Sequence, residues 1–251
     1  MIASLPMYDR PETRTANDRL WQAVRDELGC GPARLARGGD AWADWLAPEL
    51  LLSQTCSLPY RTRLRGRVTL LGAPDLGLPG CPPGHYRSLL VVRADAQGTR
   101  LAEFAAQTLA YNEGCSQSGW AAPVLYAHGL GLRFGRTLRS GGHAASAQAV
   151  ATGRADIAAI DAASWRLIRR HDDFADRLRV LCATPPTPGL PYITAATRDP
   201  APIRAALRRA IAALDADARA VLGLRALIDV PEGAYLRLPI PPPPAGDQPP
   251  G

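Results

Sequence analysis

Residues 112–119, Asn-Glu-Gly-Cys-Ser-Gln-Ser-Gly, stand between an apolar stretch and a helical pattern that begins at Trp120. A small polar turn that opens a helix presents backbone N–H groups and hydroxyls at the positive end of the helix dipole, the arrangement that holds an anion. Ser116 and Ser118 are the leading ligand donors, and capping of the helix by either serine is the alternative use. Ser140-Gly141-Gly142-His143 repeats the pattern between a strand and a helix. Its paired glycines allow close backbone approach, and His143, in the first turn, can donate to a bound oxyanion or serve as a cap or surface residue. Asp161 follows an apolar strand at 156–160, where open α/β sheets bind ligands and where a carboxylate caps the next helix equally well.

The elements that must position these residues alternate between strand and helix. Residues 2–7 predict a short strand, and Leu20, Trp21, Val24 and Leu28 recur at helical spacing over Arg14–Leu28. Strands are predicted at 49–56, 68–71 and 86–92, then at 108–111, 136–138, 156–160, 179–183 and 192–196. Helices are predicted at 120–128, 144–152, 162–170, 202–214 and 216–224. Pro185, Pro186, Pro188 and Gly189 break the chain before the 192–196 strand, a place for a second crossing between two α/β lobes. The expected organisation is a first lobe of residues 1–93 with 190–238, a second lobe of 94–189, and a proline-dominated tail at 239–251 that is extended or disordered and outside the fold. No solenoid repeat is present.

Composition narrows the chemistry. The 251 residues are 47% hydrophobic and 21% charged, enough for two modest α/β lobes. All 29 basic residues are arginine, so no lysine Schiff base can form and pyridoxal phosphate in its usual attachment is excluded. The net charge of +6 is spread along the chain; the densest run, Arg61, Arg63, Arg65 and Arg67, reads as a solvated loop or lobe edge, so nucleic acid is not an expected partner. Cys30, Cys56, Cys81, Cys115 and Cys182 are odd in number and widely spaced, which indicates neither a zinc site nor a disulfide framework. No apolar run is long enough to cross a membrane. Residues 1–8 lack a secretory leader, so the chain is cytoplasmic if Met1 is the native start and periplasmic if a leader has been removed.

Gly84-His85-Tyr86-Arg87-Ser88 before an apolar strand, the Ser-x-Ser-Gly end of 112–119, and the stretch from Gly141-Gly142-His143 to Asp161 occur in one order and spacing. In this the chain resembles the phosphonate-binding family of ABC-transporter solute receptors over roughly residues 86–192, with residues 1–9 and 51–60 agreeing more loosely. The resemblance implies an α/β, two-lobed type 2 periplasmic-binding-protein-like fold, each lobe a mixed sheet flanked by helices, with two hinge crossovers. It implies that Ser116, Gln117, Ser118 and Gly119, with His143, hold phosphonate or phosphate-like oxygens, that Tyr8, Gln54 and Tyr86 line the other wall, and that Asp161 joins them. It further implies a monomeric receptor that clamps a small anionic ligand, serves an ABC transporter permease, and uses no cofactor, metal or catalytic residue. Two departures bear on the ligand. Leu190 stands between Gly189 and Pro191 where aminophosphonate binders carry an acid, which argues against an amine-bearing ligand, and Gln117 replaces a small hydroxyl residue.

Enzyme readings are weaker. Gly114-Cys115-Ser116-Gln117-Ser118 has a superficial likeness to a nucleophile elbow, but Ser118 replaces the second glycine and the order Ser116, His143, Asp161 is not that of the hydrolase fold. Cys56 or Cys115 with His143 is a nucleophile–base alternative, against which stands the usual fate of a lone thiol among apolar neighbours. The main competitor is a cytoplasmic enzyme on the same fold acting on a small carboxylate or cofactor precursor. The iron-dependent pyrimidine-forming kind needs a lysine and several histidines, against four histidines here. A sensing module is a third reading, although no helix-turn-helix precedes the first strand.

Overall fold

The computed structural model describes residues 1–247 and contains two compact units, Met1–His85 with Pro188–Arg237, and Tyr86–Thr187 with the segment from Leu238 onward. The first unit opens with β1 (Ile2–Ala3), shorter than the predicted strand because Pro6, which has no N–H to donate, starts a tight turn over Pro6–Tyr8. Helix α1 (Arg14–Leu28) buries Ala16, Leu20, Trp21 and Val24, one face at helical spacing. Helix α2 (Ala41–Leu46) is capped by the Asp40 side chain, which accepts from the Trp42 N–H at 3.0 Å. Strand β2 (Leu50–Gln54) is buried throughout, and β3 (Val68–Asp75) runs four residues beyond its predicted end. The arginine run is helical at its start rather than extended. Arg61 is buried and donates to the Ser57 carbonyl, and Arg63 lies 4.3 Å from the Trp42 ring centre.

The second unit begins with β4 (Ser88–Arg93) and β5 (Thr108–Tyr111), followed by a helical turn over Gln117–Ala121 that runs into α3 (Ala122–Gly129). Then come β6 (Arg136–Arg139), α4 (His143–Ala151), β7 (Ile157–Asp161), α5 (Ala162–His171) and β8 (Leu178–Ala183). The strands form one sheet in the order β6-β5-β7-β4-β8. β5 is parallel to both β6 and β7, whereas β4 is antiparallel to β7 and β8. The carboxyl ends of β5, β6 and β7 therefore share one edge of the sheet, and Ser88, which pairs with Asp161, opens β4 at that same edge.

Alternation along these strands sends Val91, Ala110, Ala158 and Ile160 to one face, against Ala147 and Val150 of α4 and Ile168 of α5. Leu90, Val92, Leu109, Tyr111 and Ile157 go to the other face and pack with Trp120.

The chain returns to the first unit with β9 (Tyr192–Ala195), α6 (Pro200–Ala213), α7 (Ala216–Leu222) and β10 (Ala226–Ile228). The first unit's sheet has the order β1-β2-β9-β3-β10. β1 is parallel to β2, and β9 and β10 run antiparallel to their neighbours. Its core gathers Trp45, Leu50, Tyr60, Leu64, Ile193 and Tyr235. The extra length of β3 is explained by β10, which pairs with Ala73–Asp75 and which periodicity alone did not predict.

The passage between units falls earlier than expected at its first crossing. Residues 86–93, assigned by sequence to the first lobe, carry β4, and its ladder partners are β7 and β8 of the second sheet. A buried apolar strand reads the same in either sheet, and only its partners assign it. Two crossovers were expected, at 93/94 and 189/190; the chain passes between units at 85/86, at 187/188 and a third time at 237/238. Residues 239–247 of the tail, expected to stand outside the fold, belong with the second unit; 248–251 lie outside the described residues.

Candidate functional site

The loop after β5 is built around Ser116. Its hydroxyl accepts the Gly119 N–H at 2.9 Å, so this serine is the helix cap that the sequence offered as its alternative role. The first turn is wide. The N–H of Ala121 reaches back five residues to the Ser116 carbonyl at 3.0 Å, a π-type turn of the kind that re-aims side chains at functional sites. Gly119 is required here by contact, because a Cβ would fall 1.8 Å from Asn112 Oδ1. Asn112 Oδ1 is itself buried with no hydrogen-bond partner among the described residues. Ser116, Gln117, Ser118 and Gly119 are all buried.

Ser118 is held at two points. Its carbonyl accepts from Ser88 Oγ at 2.8 Å, and its Oγ lies 2.9 Å from Nε2 of His143, the first residue of α4. The loop carrying His143 is tied to the end of β5. The Ser140 N–H donates to the Tyr111 carbonyl at 2.8 Å and the Gly141 N–H to the Asn112 carbonyl at 2.9 Å. Ser140 Oγ adds bonds to the Tyr111 carbonyl and to Ser146 Oγ at 2.7 Å. Hydrogen bonds thus tie the two loops to each other.

Burial pulls the His143 pKa below its ordinary value of 6.5, against the Asp161 carboxylate and the Ala159 carbonyl, which both favour the charged ring. Among the described residues no partner meets hydrogen-bonding geometry at Nδ1. The neutral ring has one proton for two nitrogens. Ser118 Oγ and His143 Nε2 can share a proton in either direction, because the serine hydroxyl both donates and accepts.

Asp161, at the end of β7, is buried, and its Oδ1 accepts the N–H groups of Ala163 at 2.7 Å and Ser164 at 3.0 Å. It caps α5 and acts on His143 through charge. Ser118, His143 and Asp161 have the composition of a hydrolytic triad without its wiring, since the carboxylate is turned to the helix N-terminus and makes no hydrogen bond to the imidazole. The serine on His143 is Ser118, not the Ser116 of the elbow-like string, and the Cys115 thiol is 3.5 Å from Glu113 Oε2.

The second unit therefore brings together Ser116, Gln117, Ser118, Gly119, His143 and Asp161, and Tyr86, also buried, stands at its first residue. Tyr8 and Gln54 belong to the first unit. Tyr8 ends the turn after β1, and its carbonyl accepts from Thr13 Oγ1 at 2.6 Å. Gln54 ends β2, buried, with its amide donating to the Leu190 carbonyl at 3.1 Å. Sequence reasoning quoted Ser88, Asn112 and Ser140 within its motifs but gave none of them a role in the site. Their signal was only that small polar residues stood at strand ends.

Among the described residues no group of three or more His, Cys, Asp or Glu is arranged to hold a metal ion, and no helix is long and apolar enough to cross a membrane.

A family model described as ABC transporter, phosphonate, periplasmic substrate-binding protein matches residues 68–229, more than half of the chain. Among solved structures, PhnD1 from Prochlorococcus marinus in complex with methylphosphonate has a TM-score of 0.74 at 14% identity, covering 93% of each chain. A binding protein component of an ABC phosphonate transporter from Pseudomonas aeruginosa has a TM-score of 0.71 at 18% identity, covering 93% of this chain and 83% of its own. XAC2383 from Xanthomonas citri, bound to ATP, has a TM-score of 0.68 at 18% identity, covering 94% of each chain. No curated protein matches the chain. At these identities the structures establish the fold, type 2 periplasmic-binding-protein-like with two units of mixed sheet and helices. The family match adds what fold alone does not: the chain belongs to the phosphonate-binding family of ABC-transporter substrate-binding proteins.

Proposed function

We propose that this protein is a solute receptor for a small oxyanion of the phosphonate or phosphate class, and that it binds without chemical conversion. The observation that carries the reading is the Ser118 Oγ to His143 Nε2 contact of 2.9 Å at the shared carboxyl edge of β5, β6 and β7. In this reading the oxyanion replaces His143 as the partner of the Ser118 hydroxyl, takes the Ser118 N–H of the turn, and draws a proton onto His143, while the Ser116 and Gly119 N–H groups keep their bonds to the Glu113 carbonyl and Ser116 Oγ. Gln117 and Tyr86 of the second unit and Tyr8 and Gln54 of the first are further candidate contacts, and the Asp161 charge partly offsets the burial that disfavours the imidazolium.

Methylphosphonate in PhnD1 and ATP in XAC2383 both carry phosphorus oxyanions, which supports the ligand class. Leu190, buried beside Gly189, stands where aminophosphonate binders of the family carry an acid, which favours ligands without an amine. The partner of the loaded receptor is an ABC transporter permease, and its place of work is the periplasm.

Titration calorimetry with methylphosphonate, inorganic phosphate and 2-aminoethylphosphonate tests the reading. We expect heat from at least one of the first two and weaker binding of the amine. Silence with all three, or release of phosphate from methylphosphonate, would overturn it.

A further inference from the structure

The segment from Leu238 belongs with the second unit, although Arg237 before it belongs with the first. Its contacts there are specific. The Trp120 indole N–H donates to the Pro242 carbonyl at 2.9 Å. The Asp247 carboxylate accepts from the Gly114 N–H at 3.1 Å through one oxygen and from Arg139 at 3.2 Å through the other. The Tyr111 hydroxyl meets the same carboxylate, and burial together with that contact pushes its ionisation up to about 12. Pro241 and Pro244 are buried, and a Cβ on Gly114 would come within 2.8 Å of both Pro244 Cδ and Asp247 Oδ2. Gly114 is thus a glycine that lets another backbone approach.

These features match a known physical mode of peptide recognition. A proline run has fixed φ and no N–H groups to satisfy, so docking it costs little conformational entropy, and its carbonyls accept from aromatic N–H donors in a groove. Here Tyr111 and Trp120 supply paired rings, 5.2 Å between centres, and Arg139 with the Gly114 N–H supplies a carboxylate socket. The socket adjoins the serine turn, for Gly114 lies two residues before Ser116.

We propose that Tyr111, Gly114, Trp120 and Arg139 form a second binding site, for a proline-rich segment that carries a carboxylate at its end. The chain's own residues 241–247 are its occupant, and their docking holds the serine turn in shape. Because the contacts fall at Gly114 and Trp120, which flank Ser116–Gly119 in the chain, docking pre-organises the turn and strengthens ligand binding. Only that consequence for affinity rests on the function proposed above.

Amide hydrogen exchange by NMR on the full chain, comparing wild type with Asp247→Ala and Trp120→Phe, is the test. We expect exchange at Gly114 to rise about tenfold or more in Asp247→Ala, exchange at Gly119 to rise with it, and amides of β7 to stay protected. Wild-type exchange at Gly114 in both variants would overturn the site. Faster exchange at Gly114 with Gly119 unmoved would overturn the hold on the turn. Methylphosphonate affinity should fall about threefold or more in Asp247→Ala. A wild-type protein that binds no oxyanion would count against the proposed function, while the exchange results would still decide the strap.

Discussion

Ser118 Oγ lies 2.9 Å from His143 Nε2, and this contact joins a loop after one parallel strand to the helix that follows its neighbour. Twenty-five residues apart in sequence, the two groups are hydrogen-bond partners.

If that pairing marks the oxyanion position, Ser118→Ala and His143→Ala should each weaken methylphosphonate binding by about 10- to 100-fold, the range for a lost hydrogen bond to a charged group. Both should retain the far-ultraviolet circular dichroism of the parent. Calorimetric affinities indistinguishable from wild type would remove these residues from the site.

The depressed pKa of His143 makes stability depend on pH in a fixed direction. The folded state keeps the ring neutral, so it binds fewer protons than the unfolded state as pH falls. The stability that this group contributes is fully present above its ordinary 6.5 and is lost as pH drops below that towards the folded value. Thermal melts between about pH 7.5 and 5 should show a falling midpoint, and His143→Gln should flatten that part of the slope. A slope that survives the substitution would assign it elsewhere.

Gly119 and Asn112 should be energetically coupled. Gly119→Ala should cost about 1–3 kcal/mol, because the new methyl enters the space of Asn112 Oδ1. Asn112→Ala should recover part of that loss when combined with it, which a double-mutant cycle by urea denaturation measures. Simple additivity would mean that the side chain moves aside freely.

Asp161 performs two separable tasks. Asp161→Asn preserves an N-cap of similar quality and should leave stability within about 0.5 kcal/mol, whereas Asp161→Ala should cost about 1 kcal/mol. Asn also removes the charge that favours the imidazolium, so the His143 pKa should fall further in an NMR titration. An unmoved titration would show that the carboxylate does not reach the ring.

Much of the site was legible because its logic is local. A strand, a small polar turn and a helix read in order from the chain, and this placed Ser116 to Gly119, His143 and Asp161 without coordinates. The division of labour was not legible. Whether Ser116 or Ser118 caps the turn depends on which i→i+3 bond closes, and Ser116 closes it on Gly119. The same limit applied to β4, whose apolar run fits either sheet, and to β10, a three-residue strand too short to show a period but fixed by its pairing with β3. The tail was misjudged for a different reason. Proline content reports the lack of self-made hydrogen bonds, yet a partner surface can supply them, as Trp120 does for Pro242.

The third passage of the chain between units bears on how the protein can be taken apart or labelled. Residues 86–187 form a contiguous piece carrying the whole five-stranded sheet, but excising them strips the acceptors from the Trp120 indole and the Gly114 amide. A single-unit fragment that keeps those two bonds has to include residues 238–247. For the same reason, a fluorophore placed at Ala245 reports from beside the serine turn.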